Sequence, residues 1–177
     1  TAVERGLIGP REVDRIWDRH IFNSLPLVTL MPESSTVLDI GSGAGLPGIV
    51  IGLARPDLQI TLLEPLERRA NFLLEVIAQL GLTNLEVVRG RAEQHKPRYQ
   101  IVTARAVAPL PKLLQISWRL IAPGGKLLAL KGESADSELA AAPMSRFNPS
   151  KAEVILASYP LLPEQPPVRV ISIEKAG

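Results

Sequence analysis

Short runs in which almost every position is apolar recur along the chain, and between them the apolar residues fall three and four apart. Residues 36–41, 59–64, 84–88, 99–104 and 126–131 therefore read as strands buried on both faces. Ile49, Val50, Leu53 and Ala54 predict a helix ending at Arg55-Pro56, while Ala70, Leu73, Leu74 and Ile77 predict another over 66–80 with Gly81 as its C-terminal cap. Leu113, Leu114, Ile116 and Leu120 mark a third over 109–121, and 134–142 reads as a short fourth capped by Ser134 or Asp136. Strands and helices alternate, which predicts a mostly parallel, doubly wound sheet flanked by helices. Residues 153–158 and 168–173 read as an antiparallel C-terminal hairpin with a Pro-rich connection. Ahead of the first strand, Val13, Ile16, Trp17, His20, Ile21 and Phe22 predict an amphipathic helix from Arg11 to about Leu25, stopped by Pro26. No repeat or linker interrupts this pattern, so residues 1–177 are expected to form a single domain whose N-terminal helical portion is truncated.

Composition narrows the class. With 177 residues, 46% of them hydrophobic, 21% charged and none cysteine, the chain can bury a substantial core and is neither a disordered segment, a disulfide scaffold nor a thiolate zinc site. No metal site is expected, and the absence of thiols points to the cytoplasm. No apolar run approaches the roughly 20 residues that span a bilayer, so no membrane partner is expected. Net charge is only +2, yet arginines gather at 11, 15 and 19 and again at 68, 69, 89, 91, 98 and 105. The guanidinium fork grips phosphate, which suits nucleic acid; Glu12, Asp14 and Asp18, interleaved with the first group, suit a solvated helix face equally well.

The chemistry gathers at Val37-Leu38-Asp39-Ile40-Gly41-Ser42-Gly43-Ala44-Gly45-Leu46-Pro47-Gly48, where a strand runs through a glycine-rich turn into a helix. Such a turn lets the backbone approach a ligand closely, and the unpaired N–H groups of the following helical turn are expected to face the same space. Gly43 to Gly48 matches the dinucleotide pattern GxGxxG. Counted from Asp39, the same residues read D-x-G-x-G-x-G, which resembles motif I of the class I S-adenosylmethionine methyltransferases. Glu64, about 21 residues after Gly43 at the end of the second strand, suits the ribose hydroxyls of either cofactor. Ala92 and Glu93 follow the third strand, where a small residue and an acid can frame an adenine. Arg105 and Lys131 follow the fourth and fifth strands and place two cations at the mouth of the cleft. The Ala122-Pro-Gly-Gly turn and the closing hairpin favour S-adenosylmethionine over a nicotinamide.

Four segments resemble one family more particularly: Trp17-Asp-Arg-His20-Ile-Phe-Asn-Ser24, Leu38 to Gly48, Val102-Thr-Ala-Arg-Ala-Val-Ala-Pro-Leu110 and Ala129-Leu-Lys-Gly132 are similar to the RsmG (GidB) family. The resemblance implies a class I (Rossmann-like) fold and methylation of N7 of a loop guanine in bacterial 16S ribosomal RNA. It further implies S-adenosylmethionine as donor, S-adenosylhomocysteine as product and small-subunit RNA as partner; the sequence is silent on oligomeric state, and a monomer is the expectation. By position it implies cofactor contacts at Gly41, Leu46, Ala92, Glu93 and Arg105, which join Asp39, Gly43, Gly45 and Glu64 in the candidate cofactor set. Arg11, Arg15, Arg19 and Lys131 are the candidates for RNA, and Gln100 stands where the family carries an acid.

Guanine N7 holds a lone pair at neutral pH, so methyl transfer there needs positioning at roughly 3 Å and no base. The sequence accordingly offers no catalytic dyad; Arg105 and Lys131 are the candidates for positioning, and His20 and His95 read as structural. Two other readings stay open: a methyltransferase acting on a small molecule or protein, and a non-catalytic S-adenosylmethionine-binding protein associated with RNA.

Overall fold

The computed structural model describes Gly9 and residues 14–177. The predicted alternation is realised as β1 (Thr36–Ile40), α1 (Gly48–Ala54), β2 (Gln59–Glu64), α2 (Glu67–Leu80), β3 (Leu85–Arg89), β4 (Tyr99–Arg105), α3 (Leu110–Ser117), β5 (Ile121–Lys131), α4 (Ala135–Ala141), β6 (Lys151–Ala157) and β7 (Val168–Glu174). The strands form one sheet in the order β3-β2-β1-β4-β5-β7-β6. All neighbours from β3 to β5 are parallel, and β7 alone runs the other way, paired antiparallel to both β5 and β6. An all-parallel dinucleotide fold has no such reversed strand.

Because successive strand residues face opposite sides, the apolar runs fill two cores. Leu38, Ile40, Leu63 and Val102 pack with Leu113 and Leu114 of α3, whereas Val37, Ile60 and Leu62 pack with Ile49 and Ile51 of α1 and Leu73 of α2. Gly81 ends α2 as the periodicity predicts: its φ is +63°, and Leu82 N–H closes the turn on Ile77 O at 3.1 Å. Strand order reverses between β1 and β4, so a crevice opens beyond the ends of those strands.

Two expectations change. The N-terminal segment is not an α-helix stopped by Pro26: a π-wound turn over Ile16–Ile21 passes into a 3₁₀ run over Phe22–Leu30 with Pro26 buried inside it. Its Arg11 start lies outside the described residues. Side chains take the carbonyls that a regular helix would use. Asn23 Nδ2 and Arg105 donate to Arg19 O, and Ser24 Oγ and Arg105 donate to His20 O, while Pro26 has no N–H to give. The Ala-Pro-Gly-Gly turn, expected ahead of the fifth strand, lies within β5 as an irregularity: Tyr99 pairs with Ile121 but Ile101 with Lys126. A Cβ on Gly125 would stand 2.6 Å from Gln100 O, so only glycine fits against β4 there.

Asn84 is the polar anchor of this frame. Its buried amide donates to Gly52 O, Arg55 O and Leu58 O at 3.2, 3.3 and 3.2 Å, tying the end of α1 to the sheet. Asn84→Ala leaves those acceptors buried and unmatched, so it should cost about 2 kcal/mol and lower Tm by roughly 4–8 °C in a thermal melt.

Candidate functional site

Gly41, Gly43 and Gly45 carry φ of +67°, +56° and +89°, which winds the turn after β1 back on itself. Two acids hold it. Glu64, 1% exposed at the end of β2, accepts Gly43 N–H on Oε2 at 2.9 Å and Leu66 N–H on Oε1 at 3.0 Å. Asp39 lies beneath the turn, fully buried, and its Oδ2 accepts Gly48 N–H at 3.1 Å. A Cβ on Gly48 would stand 2.7 Å from that same oxygen and 2.3 Å from Leu62 Cδ2, so α1 starts in contact with the sheet.

Most N–H groups of the turn are already engaged, which corrects the expectation of unpaired groups at those positions. Gly41 and Ser42 N–H donate to Leu63 O, Gly45 and Leu46 to Ser42 O, Ile49 to Gly45 O, and Gly43 and Gly48 to the two acids. The turn therefore offers its shape and its open glycine faces. A Cβ on Gly43 would meet nothing closer than Gly41 O at 3.7 Å. Beside it is a cavity of about 300 Å³ lined by Gly41, Gly43, Leu46, Arg69, Arg105 and Ala106 among others. Arg69 and Arg105 bring two cations to its lining. Arg69, on the first turn of α2, was not singled out from the sequence, although its place five residues after Glu64 brings it to this edge.

A second hollow, of about 520 Å³, adjoins the first and shares Arg105 and Ala106 with it. Arg19, Lys131 and Arg169 add cations to its lining, and Pro166 and Pro167 form part of its rim. Arg169 escaped the sequence reading because only the pairing of β7 shows it opposite Lys131. Lys131 is itself engaged, donating to Ala108 O at 3.1 Å and to Glu138 Oε2 at 2.7 Å. The wall between the two hollows is Ala106, a non-glycine residue at φ +54°, a conformation that costs about 1 kcal/mol.

Most of the remaining candidates fall outside the cavities. Gly45 turns its Cα toward Ile49, where a Cβ would be 2.3 Å from Cδ1, and its place is in the apolar groove behind the turn. Ala92 is buried in the core, its carbonyl held by Arg119, and Glu93 is exposed beyond β3. Arg15 is exposed on the N-terminal segment, and Arg11 lies outside the described residues. Gln100 sits at the opposite end of β4, its Oε1 accepting Thr36 N–H at 2.9 Å, so the missing acid has no bearing on the cleft. His95 hydrogen-bonds Tyr99 at 2.8 Å, a structural use, whereas His20 contacts the Arg105 guanidinium and, against expectation, lines the smaller cavity.

A paired glycine turn, an acid at the second strand end and a reversed seventh strand are the marks of a methyltransferase sheet, and comparison with known proteins agrees. The family model of rRNA small subunit methyltransferase G matches residues 1–159. The chain belongs to this rRNA small subunit methyltransferase G family. Among curated relatives of that name, the chain is similar to that of Streptomyces coelicolor, 57% identical over 80% of this chain and 60% of the relative. It also resembles that of Mycobacterium avium, 47% identical over 99% and 73%. The chain thus spans about 60% of the length of the Streptomyces coelicolor relative. Solved structures share the fold: an O-methyltransferase of Thermotoga maritima described as SAM-dependent (TM-score 0.68, 16% identity, 94% of this chain and 70% of that one) and a SAM-dependent methyltransferase of Aquifex aeolicus (TM-score 0.63, 16% identity, 94% and 98%).

Burial is the main reason that the Asp39 carboxyl rises from 3.8 to about 7; the bond from Gly48 opposes the rise, nearby Glu64 adds to it, and Oδ1 has no hydrogen-bond partner. An acid whose folded pKa is raised binds more protons folded than unfolded between those values, so its contribution to stability falls as pH climbs from about 4 to about 7 and is level above. Asp39→Asn cannot ionise. Its unfolding free energy relative to the native chain should therefore improve by a few kcal/mol between pH 4 and pH 7, measured by urea denaturation across that window.

Proposed function

We propose that the chain transfers the methyl group of S-adenosylmethionine to N7 of a loop guanine in bacterial 16S ribosomal RNA, acting in the cytoplasm as a monomer. The observation that carries this reading is the meeting of a glycine-walled cavity and a cationic cleft at Arg105 and Ala106. The names of the relatives, which specify small-subunit ribosomal RNA, support the choice of substrate.

The donor fits the cavity by shape and charge. Gly43 presents an open backbone face to the cavity, Arg69 and Arg105 suit a carboxylate, and Glu64, buried behind the lining, serves the donor by holding the turn through Gly43 N–H. Bound there, S-adenosylmethionine supplies an electrophilic methyl group and becomes S-adenosylhomocysteine. The chain's own work is positional. Arg19 and Arg169 attract and orient the RNA backbone, and the Ala106 wall sets how closely a splayed base approaches the cavity. Guanine N7 needs no base to remove a proton, so the transfer asks the cleft for positioning and charge, and Glu138, an acid of its lining, is already bonded to Lys131.

Incubating the chain with methyl-labelled S-adenosylmethionine and small-subunit RNA, free or assembled, and mapping the labelled base tests this. Label at a guanine N7 in a loop is the expected outcome; label on protein or small molecules alone, or none with S-adenosylhomocysteine still bound, overturns it. Gly41→Ala would place a Cβ 3.0 Å from Val107 Cγ2 at a positive φ, so it should weaken S-adenosylhomocysteine by about tenfold or more in calorimetry. RNA binding should fall at least about tenfold between 50 and 200 mM salt, and Arg169→Ala should reduce the slope of log affinity against log salt by about one.

A further inference from the structure

Glu138, on α4, lies far from the cofactor turn in sequence, yet one of its three contacts reaches the loop after β4 directly and a second reaches it through Lys131. Its Oε2 accepts Lys131 Nζ at 2.7 Å and Leu110 N–H at 3.1 Å, and its Oε1 accepts Ser134 Oγ at 3.0 Å. Lys131 passes the grip on, donating to Ala108 O at 3.1 Å. The middle and the C-terminal end of the segment 106–110 are thereby tied to one carboxylate. Val107, directly before Ala108, presses on the cofactor turn: its Cγ2 would be 3.0 Å from a Cβ on Gly41. Ala106, just ahead, holds its left-handed φ of +54° and lines both hollows. A non-glycine residue keeps such a conformation only where its surroundings enforce it.

We infer that Glu138 is a positioning residue for methyl transfer: with Lys131 it clamps the 106–110 segment, and so fixes the wall at Ala106 beside which the methyl donor and the incoming base must meet. This inference rests on the methyltransferase reading above. Glu138 also lines the cleft, so a direct substrate contact is the rival account. The two differ in what relieving the strain at Ala106 does. Glycine adopts a positive φ without cost, so Ala106→Gly lets the wall hold its shape with less help from the clamp. It does nothing for a lost contact to RNA.

The test uses the full chain and four variants: Glu138→Ala, Glu138→Gln, Ala106→Gly and the double variant Glu138→Ala with Ala106→Gly. Glu138→Ala is expected to lower kcat by about tenfold or more while S-adenosylhomocysteine affinity stays within about twofold, because a loosened wall misplaces the reacting atoms. Amide exchange at 106–110 should quicken by about tenfold, and the double variant should recover about threefold of the lost kcat. Glu138→Gln keeps one oxygen for Leu110 and should fall between, which also covers the case in which Glu138→Ala does not fold. Unchanged exchange at 106–110, a loss confined to KM for RNA, or no recovery in the double variant would each overturn the clamp. If the native chain transfers no methyl to 16S RNA, the parent reading fails. Exchange at 106–110, which needs no substrate, then still decides whether Glu138 holds the wall.

Discussion

The site depends on one buried carboxylate doing two jobs at once. Glu64 closes β2 and, through Gly43 N–H, holds the glycine turn that follows β1. A carboxylate kept from water is tolerated only where donors surround it, and here both of its oxygens accept backbone N–H groups from the segments the cavity needs in register. Parallel pairing of β1 with β2 brings Ile40 opposite Leu63, so the ends of the two strands arrive together and the bond can form. The cavity is a consequence of that pairing: the turn is held by its own protein and stands ready before any ligand arrives, which lowers the ordering cost of binding.

Asp39 answers a different need on the other side of the same turn. Its neighbour in β1, Ile40, feeds the core under α3, while Asp39 faces α1 and receives Gly48 N–H. An acid at that position reads from the sequence as a ligand contact. The structure makes it the seat of the helix that leaves the turn, and the space for it exists because Gly48 has no side chain. The two acids thus divide the labour, with Glu64 shaping the face toward the cavity and Asp39 the face toward the sheet.

How far the site could be read from residues alone follows from which interactions are local. Strands, helices and the Gly81 cap depend on periodicity and on one positive φ, both visible within a few positions, and these emerged close to their predicted bounds. Gly41, Gly43, Leu46 and Arg105 emerged as lining of one cavity because strand ends in a parallel sheet share an edge. Long-range pairings did not emerge. Lys131 looks like a cation for substrate until α4 brings Glu138 to it, and Arg169 looks like a hairpin surface residue until its pairing places it beside the cleft. The N-terminal segment has helical spacing but winds otherwise, because Arg105, some 85 positions on, claims carbonyls that the pattern assigns to the helix itself.

The reversed direction of β7 has a consequence for how such a protein can diversify. A strand running against its neighbours begins where they end, so β7 delivers its first residues, and the proline-rich crossover before them, to the rim of the cleft. The donor cavity is lined instead by the turn after β1, the start of α2, the end of β4 and His20 of the N-terminal segment, and by no residue of β7. Changes in length or charge between Ala157 and Val168 can therefore retune what enters without disturbing what is held, leaving recognition and cofactor chemistry separable within one continuous sheet.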